Sequence, residues 1–341
     1  MLQVLTSLSM TIVGPLMAWQ GWGVWAIVGE RISGVIVASF VVWVFIRPVS
    51  LQWRFDWGMV KWYLNYGKFI FATMSLNKVL NQFDDFWVGT ALGSQSLGFY
   101  SKAYEFANYP TRIVSDPLMR VFFPSFAKSQ GDRQRLSRAF FRSAALIVRA
   151  SFLFTGALAL SAYELVELLV GAKWLPMVPI FQLMLVYVSL HPLLTTLGNL
   201  ANATGHPKFS TRASFFQAVL FIPLVVLGAS YWDAGGVAVA VDVMLLVGVA
   251  SMLFQVEQLV DISLARLLIP PILALFLGAV CGTLITVSIS VNTIVTAILK
   301  IAGYSIGYIA ALIALEYKDY IIIMEAFLPI LRQVGLLEME K

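Results

Sequence analysis

The stretch FDDFWVGTALGSQSLGFYSKAYEFANYP, Phe83–Pro110, sets two adjacent aspartates, a lysine and a glutamate inside an otherwise apolar chain. Gly93-Ser94-Gln95-Ser96 at its middle is a turn signal, so the segments on either side read as the arms of a helical hairpin. Asp84 and Asp85 lie eight or nine residues before Gly93, and Lys102 lies nine after it. At about 1.5 Å per residue these charges fall at one depth, and the spacing predicts an ion pair across the hairpin. On the second arm Lys102, Glu105, Tyr109, Arg112 and Asp116 recur at steps of three and four, a single helix stripe. Arg112 and Asp116 are expected to pair along it. Asn77, Asn81 and Asp84 form a matching stripe on the first arm.

The surroundings decide what those charges mean. Of 341 residues 60% are hydrophobic and 12% charged, and mean hydropathy is +0.84. Soluble domains carry about 25% charged residues. Apolar runs here repeatedly reach the roughly 20 residues that span a bilayer, where only helices satisfy their own backbone. The fold class is therefore an all-α polytopic membrane protein. About ten helices are expected, near 2–19, 22–46, 67–92, 97–126, 141–165, 177–204, 210–231, 235–257, 265–289 and 292–316. Loops on one side collect the basic residues, from Arg47, Arg54 and Lys61 through Arg133, Arg135 and Arg138 to Lys208, Arg212 and Arg266. Loops on the other side hold only Lys173. The basic side reads as cytoplasmic, with the C-terminus on it.

Composition closes several doors. One cysteine, Cys281, leaves no intrachain disulfide, and with two histidines it makes a soft-metal site improbable. No cofactor is expected. The excess of basic residues lies in loops between spans, which speaks against nucleic acid. Acyltransferase chemistry of the His-plus-Asp kind fails, because Thr196 and Thr211 stand where His191 and His206 would need the acid. Symmetric short pore segments, the mark of many channels, are not seen. An enzyme is not expected.

Charge at bilayer depth is costly and by default faces a bundle interior or water. Glu30, Arg31, Lys78, Arg120, Arg149 and Asp242 join the hairpin charges in that class. Asp84 with its neighbours reads either as a lock on the hairpin or as one wall of a polar cavity. Pro110, Pro117 and Pro124 interrupt the fourth span, and Pro15, Pro192 and Pro223 interrupt others. WQGWGVWAIV, Trp19–Val28, is echoed by WDAGGVAVAV, Trp232–Val241, each followed by an acid, Glu30 or Asp242. Transporters often contain such repeats. If the second closes a six-helix unit, the first closes an earlier unit of which four helices are missing from the start of the sequence.

The hairpin followed by VFFPSFAKSQGD (Val121–Asp132), then GAKWLPMVPIFQLM (Gly171–Met184) and GNLANATGHPKFS (Gly198–Ser210), resembles the Wzx-type polysaccharide flippases. These belong to the multidrug, oligosaccharidyl-lipid and polysaccharide exporter superfamily, and the resemblance runs over roughly 20–315. It implies a two-lobe exporter fold of 12–14 helices, here N-terminally truncated. Residues 1–46 would hold the last two helices of the first lobe, 47–68 a cytoplasmic amphipathic linker and 69–260 the six-helix second lobe. Two extra helices over 261–316 and a cytoplasmic tail over 317–341 would follow. The implied function is alternating-access transport of a lipid-linked oligosaccharide across the bacterial inner membrane, for surface lipopolysaccharide or exopolysaccharide. The implied partners are a polyprenyl-pyrophosphate-linked glycan, the lipid bilayer and other polysaccharide assembly proteins. Arg31, Lys78, Arg112, Arg120, Asn77 and Asn81 are the substrate-cavity candidates. Glu30, Asp84, Asp85, Lys102, Glu105, Asp116 and Asp242 are the candidates for charge balance or ion coupling. A multidrug or metabolite antiporter of the same superfamily, or a non-functional fragment of a flippase, are the alternatives.

Overall fold

A computed structural model describes the backbone of residues 2–46, 56–287 and 292–333, and the side chains of most of these up to Tyr317. The side chains of Trp62 and Arg120 are among those outside the described residues, as is the segment 47–55 of the expected linker. The described chain is helical throughout and divides into two compact units, 1–61 and 62–341.

The first unit contains a helical hairpin, α1 (Leu2–Trp19) and α2 (Trp25–Val41), packed along its length. Its turn uses Gly21 at φ 83° and Gly23 at φ 52°, a left-handed conformation that costs glycine nothing. Exposed Trp19, Trp22 and Trp25 cluster at this turn, where amphipathic rings suit the membrane–water interface. Glu30 lies against Gly14 of α1, its carboxylate 3.2 Å from where a β-carbon would sit. Arg31, one residue on, is exposed.

α3 (Trp57–Trp87), most of which belongs to the second unit, starts ten residues before the expected span. Asp56 explains the early start: its Oδ1 accepts from the amide of Gly58 at 2.8 Å and of Met59 at 3.4 Å, capping the first turn. After a π turn over Val88–Leu92, Gly93 at φ 90° reverses the chain into α4 (Ser94–Ala107), as the hairpin reading expected. The fourth span is broken, also as expected: a turn at Asn108 and a π turn over Thr111–Ser115 separate α4 from α5 (Asp116–Ser129). Pro117 falls in the first turn of α5, where a missing N–H costs little.

Asp132 caps α6 (Arg133–Leu160) by accepting from Gln134 and Arg135 N–H, each at 3.0 Å. Short α7 (Ala162–Leu169) leads to α8 (Val178–Ala203) and then α9 (Pro207–Val256). Trp232 and Asp233 leave helical geometry, with Asp233 at φ 50°, so α9 is two crossings, matching 210–231 and 235–257. Its halves meet at Gly228 and Gly236, where a β-carbon on either would lie 2.0–2.4 Å from the other's carbonyl oxygen. Small residues that let backbones touch are the usual adhesive between membrane helices, where lipid is as apolar as leucine.

The same device joins α10 (Leu264–Val287) to α11 (Thr293–Gln333). Gly278 and Gly282 on one helix meet Gly303 and Gly307 on the other, two reciprocal Gly-x-x-x-Gly motifs with Cα–Cβ approaches of 3.2 Å. α11 bends at Glu316 and runs on to Gln333, into the expected tail. Among the described residues six helices are long and apolar enough to cross a membrane by length and composition alone. The reversal in α9 adds a crossing. α1 is short, and α3 and α4–α5 are too polar to stand out by composition. The protein is an all-α, multi-pass membrane protein.

Candidate functional site

The hairpin charges find partners other than the expected ones. Asp84 Oδ2 accepts from the Tyr100 hydroxyl at 2.8 Å, and Asp85 Oδ1 accepts from Ser101 at 3.0 Å. Lys102 pairs instead with Glu105 on its own helix at 2.7 Å. The reason is rotational. Tyr100 is the α4 residue opposite Asp84, and two residues further on Lys102 has turned about 200° away, to the open side. Equal depth was the right inference and equal facing was not.

The expected Arg112–Asp116 pair is likewise not among the ion pairs of the described residues. Arg112 lies within the π turn, whose i→i+5 bonding takes residues four apart out of line. Both side chains are exposed. The stripe nonetheless survives as a face: Lys102 and Glu105 are half-exposed, and Tyr109, Arg112 and Asp116 are open. Tyr100, Ala103, Ala107 and Ser115 on the opposite face are buried. Lys78 on α3 is also exposed. The described backbone puts Arg120 one turn beyond Asp116 on α5, and its side chain lies outside the described residues.

Asn77 and Asn81 line a polar cavity of about 230 Å³ between α3, α8 and α9. Asn77 Oδ1 accepts from Ser214 at 2.9 Å, Thr73 and Thr211 share a hydrogen bond of 2.9 Å, and Gln217 donates to the Met244 carbonyl at 3.3 Å. His191 lines the same cavity and stacks on Tyr187 with ring centroids 4.9 Å apart; Tyr187 in turn neighbours Tyr104 at 6.4 Å. Sequence reasoning weighed His191 for acyltransferase chemistry and missed its place here. Its position four residues from both Tyr187 and Thr195, on one helix face, was the available signal. Lys78 and Arg112 do not line this cavity. Asp242, on the second half of α9, is half-buried, and its Oδ1 has no hydrogen-bond partner among the described residues. Glu30 and Arg31 belong to the other unit.

A second set of membrane charges was harder to see. Arg149 of α6 is 8% exposed and Glu316 at the α11 bend 7%. The guanidinium grips the carboxylate with two hydrogen bonds, one from Nε at 2.6 Å and one from Nη2. Tyr308 and Tyr304 donate to the carbonyls of Arg149 and Phe152 at 2.9 and 2.8 Å, and Lys300 reaches Glu164 at 2.5 Å. Sequence reasoning flagged Arg149 but could not name a partner 167 residues away.

Exposed cations along α3–α5 and a neutral polar cavity lined by α3, α8 and α9 can offer charge and hydrogen bonds to a charged, polar ligand. Comparisons with known proteins point the same way. Residues 1–179 match a family model described as polysaccharide biosynthesis protein. The chain is 28% identical over 174 residues to the lipopolysaccharide biosynthesis protein WzxC of Escherichia coli (strain K12), a match covering 51% of this chain and 35% of that protein. It is 26% identical over 219 residues to the amylovoran biosynthesis protein AmsL of Erwinia amylovora, covering 64% and 55%. It is 27% identical over 139 residues to the succinoglycan biosynthesis transport protein ExoT of Rhizobium meliloti (strain 1021), covering 38% and 26%. The chain thus spans between a quarter and just over half of these relatives. A solved structure of the lipid II flippase MurJ in an inward closed conformation superposes with a TM-score of 0.69. At 15% identity, over 93% of this chain and 67% of that one, it shows a shared fold. With the family model matching more than half of its residues, the chain belongs to the polysaccharide biosynthesis protein family.

Proposed function

We propose that this protein is a transporter, not an enzyme, and that it carries a lipid-linked oligosaccharide across the bacterial inner membrane for surface polysaccharide assembly. The observation that carries the reading is the open face of α4 and α5. Arg112 is exposed there without a carboxylate partner among the described residues, and Lys78 of α3 is likewise open. A cation kept exposed in a membrane segment needs water or an anion. A pyrophosphate linking glycan to polyprenyl carrier is such an anion. Lys78, Arg112 and Arg120 are its proposed contacts; Arg31, in the first unit, is proposed separately as a substrate-binding residue. Asn77 and Asn81, in the adjoining polar cavity, are proposed to meet sugar hydroxyls. Glu30, Asp84, Asp85, Lys102, Glu105, Asp116 and Asp242 balance that charge or take coupling ions as the protein alternates between inward- and outward-open states.

On this reading residues 1–46 belong to one lobe and 69–260 to the other, joined by the 47–68 linker, and the basic loops and C-terminus are cytoplasmic. Relatives named for lipopolysaccharide biosynthesis, succinoglycan transport and lipid II flipping support the substrate class. A cationic-drug antiporter is disfavoured, because exposed arginine and lysine repel that cargo. The test is complementation of a bacterium lacking its own polysaccharide flippase, at matched membrane levels. The wild-type chain is expected to restore surface polysaccharide, and Arg112→Ala with Lys78→Ala to abolish it. Restoration by the double variant at wild-type level, or dye export without polysaccharide, would overturn the assignment.

A further inference from the structure

The outward side of α9 carries a groove that the transport reading does not use. The two halves of α9 run antiparallel, and between them lies a channel of about 830 Å³. Phe216 and Val219 from the first half and Val247 and Phe254 from the second form its apolar walls. Ala213, Ser214, Gln217 and Ala218 lie on the opposite, buried side of the same helix, where Ser214 and Gln217 face the polar cavity. The groove and that cavity are therefore separate, and the exposed apolar walls of the groove suit contact with lipid.

Its polar groups gather at one end. Arg212 lines it one turn from the start of α9, at the end of the bundle that carries the basic loops, and has no hydrogen-bond or ion-pair partner among the described residues. Gln255 lines the same end and is 8% exposed. Its Nε2 donates to the Ser251 carbonyl at 3.0 Å, while its Oε1 is buried with no partner among the described residues. A buried amide oxygen without a donor is costly, and a guanidinium beside an apolar slot offers two parallel N–H groups to a phosphate.

We propose that this groove binds one anionic phospholipid of the phosphatidylglycerol class. Arg212 takes the phosphate, Gln255 Oε1 accepts from a headgroup hydroxyl, and an acyl chain lies between Phe216, Val219, Val247 and Phe254. The occupant follows from complementarity: a single fixed cation, a hydroxyl-seeking acceptor next to it, and apolar walls running away into the membrane. The site does not depend on the transported substrate.

The test is native mass spectrometry of the purified full chain, equilibrated with equal amounts of phosphatidylglycerol and phosphatidylethanolamine. The wild type is expected to retain one phosphatidylglycerol several-fold over phosphatidylethanolamine. Arg212→Gln and Gln255→Leu should each remove the preference, while Arg138→Gln, a basic loop-side residue outside the groove, should keep it. Arg212 is exposed, so Arg212→Gln keeps the result readable if Gln255→Leu does not fold. Equal retention of both lipids by the wild type, an unchanged preference in Arg212→Gln, or an equal loss in Arg138→Gln would overturn the proposal.

Discussion

Two regions of this molecule place charge inside the membrane and treat it in opposite ways. Along the seam where α11 packs on α6 and α7, two cations meet anions at buried positions. Arg149 grips Glu316, Lys300 reaches Glu164, and two tyrosine hydroxyls cap backbone carbonyls nearby. On the α3–α5 hairpin Asp84 and Asp85 are held by the neutral hydroxyls of Tyr100 and Ser101, while Glu105 takes Lys102 on the half-exposed face. Arg112 and Lys78 there remain open. Paired and buried, a charge fixes one helix on another; left exposed, it is free to meet something that comes and goes. The hairpin is also the less regular region, with two π turns and a break at Asn108, whereas α6 is continuous.

The largest effect should come from breaking the seam. Removing one partner of a buried pair costs about 3–5 kcal/mol, because the other charge is stranded. Arg149→Met and Glu316→Leu should each lower the unfolding midpoint sharply in detergent titrations. The double variant should recover most of the loss. If each single variant unfolds like wild type, the seam is not a buttress.

Next comes the contact that turns α9 back on itself. A methyl at Gly236 would lie 2.0 Å from the Gly228 carbonyl oxygen, a backbone atom that cannot swing aside. Gly236→Ala should cost about 1–3 kcal/mol by the same assay, whereas Gly98→Ala, which meets nothing within 4 Å, should be neutral. A comparable loss is expected in the hairpin. Tyr100→Phe removes the donor to Asp84, whose other oxygen is already without a partner, at about 1–3 kcal/mol if the carboxylate stays dry. An unchanged midpoint there would mean that water reaches Asp84, moving that acid to the open side of the comparison. At the small end, Arg112→Ala should leave the midpoint unchanged while abolishing polysaccharide complementation. A large drop in stability would instead place Arg112 with the structural charges.

Much of this contrast was written in the sequence, but unevenly. Gly93 announced the hairpin, and the three-and-four spacing of Lys102, Glu105, Tyr109, Arg112 and Asp116 announced one face. The reversal at Trp232–Asp233 was bracketed by two apolar runs of crossing length. Each is a local property of a single helix or turn. Pairing is not local. Which α4 residue faces Asp84 depends on a rotation set by the Val88–Leu92 π turn, and a shift of two residues separates Tyr100 from Lys102. The π turn at Thr111–Ser115 likewise undid the Arg112–Asp116 register; Pro110 and Pro117 marked a break there but not the register it leaves. The Arg149–Glu316 pair depends on how α11 docks. The small-residue motifs at 278–282 and 303–307 could have revealed the α10–α11 contact, since close helix approach requires them.

The central claim is that the open face of α4 and α5 is wet, and one labelling experiment addresses it directly. Cys281 is the sole cysteine, so Cys281→Ser gives a clean background. Arg112→Cys and Ile113→Cys are then compared in membrane vesicles with a charged, membrane-impermeant thiol reagent. Both positions are exposed, and Ile113 is 71% exposed, but one residue turns the side chain by about 100°. A thiol reacts as thiolate, which water supports and hydrocarbon does not. The account predicts labelling at 112 at least an order of magnitude faster than at 113. Equal, slow labelling at both would place Arg112 against lipid and contradict the account.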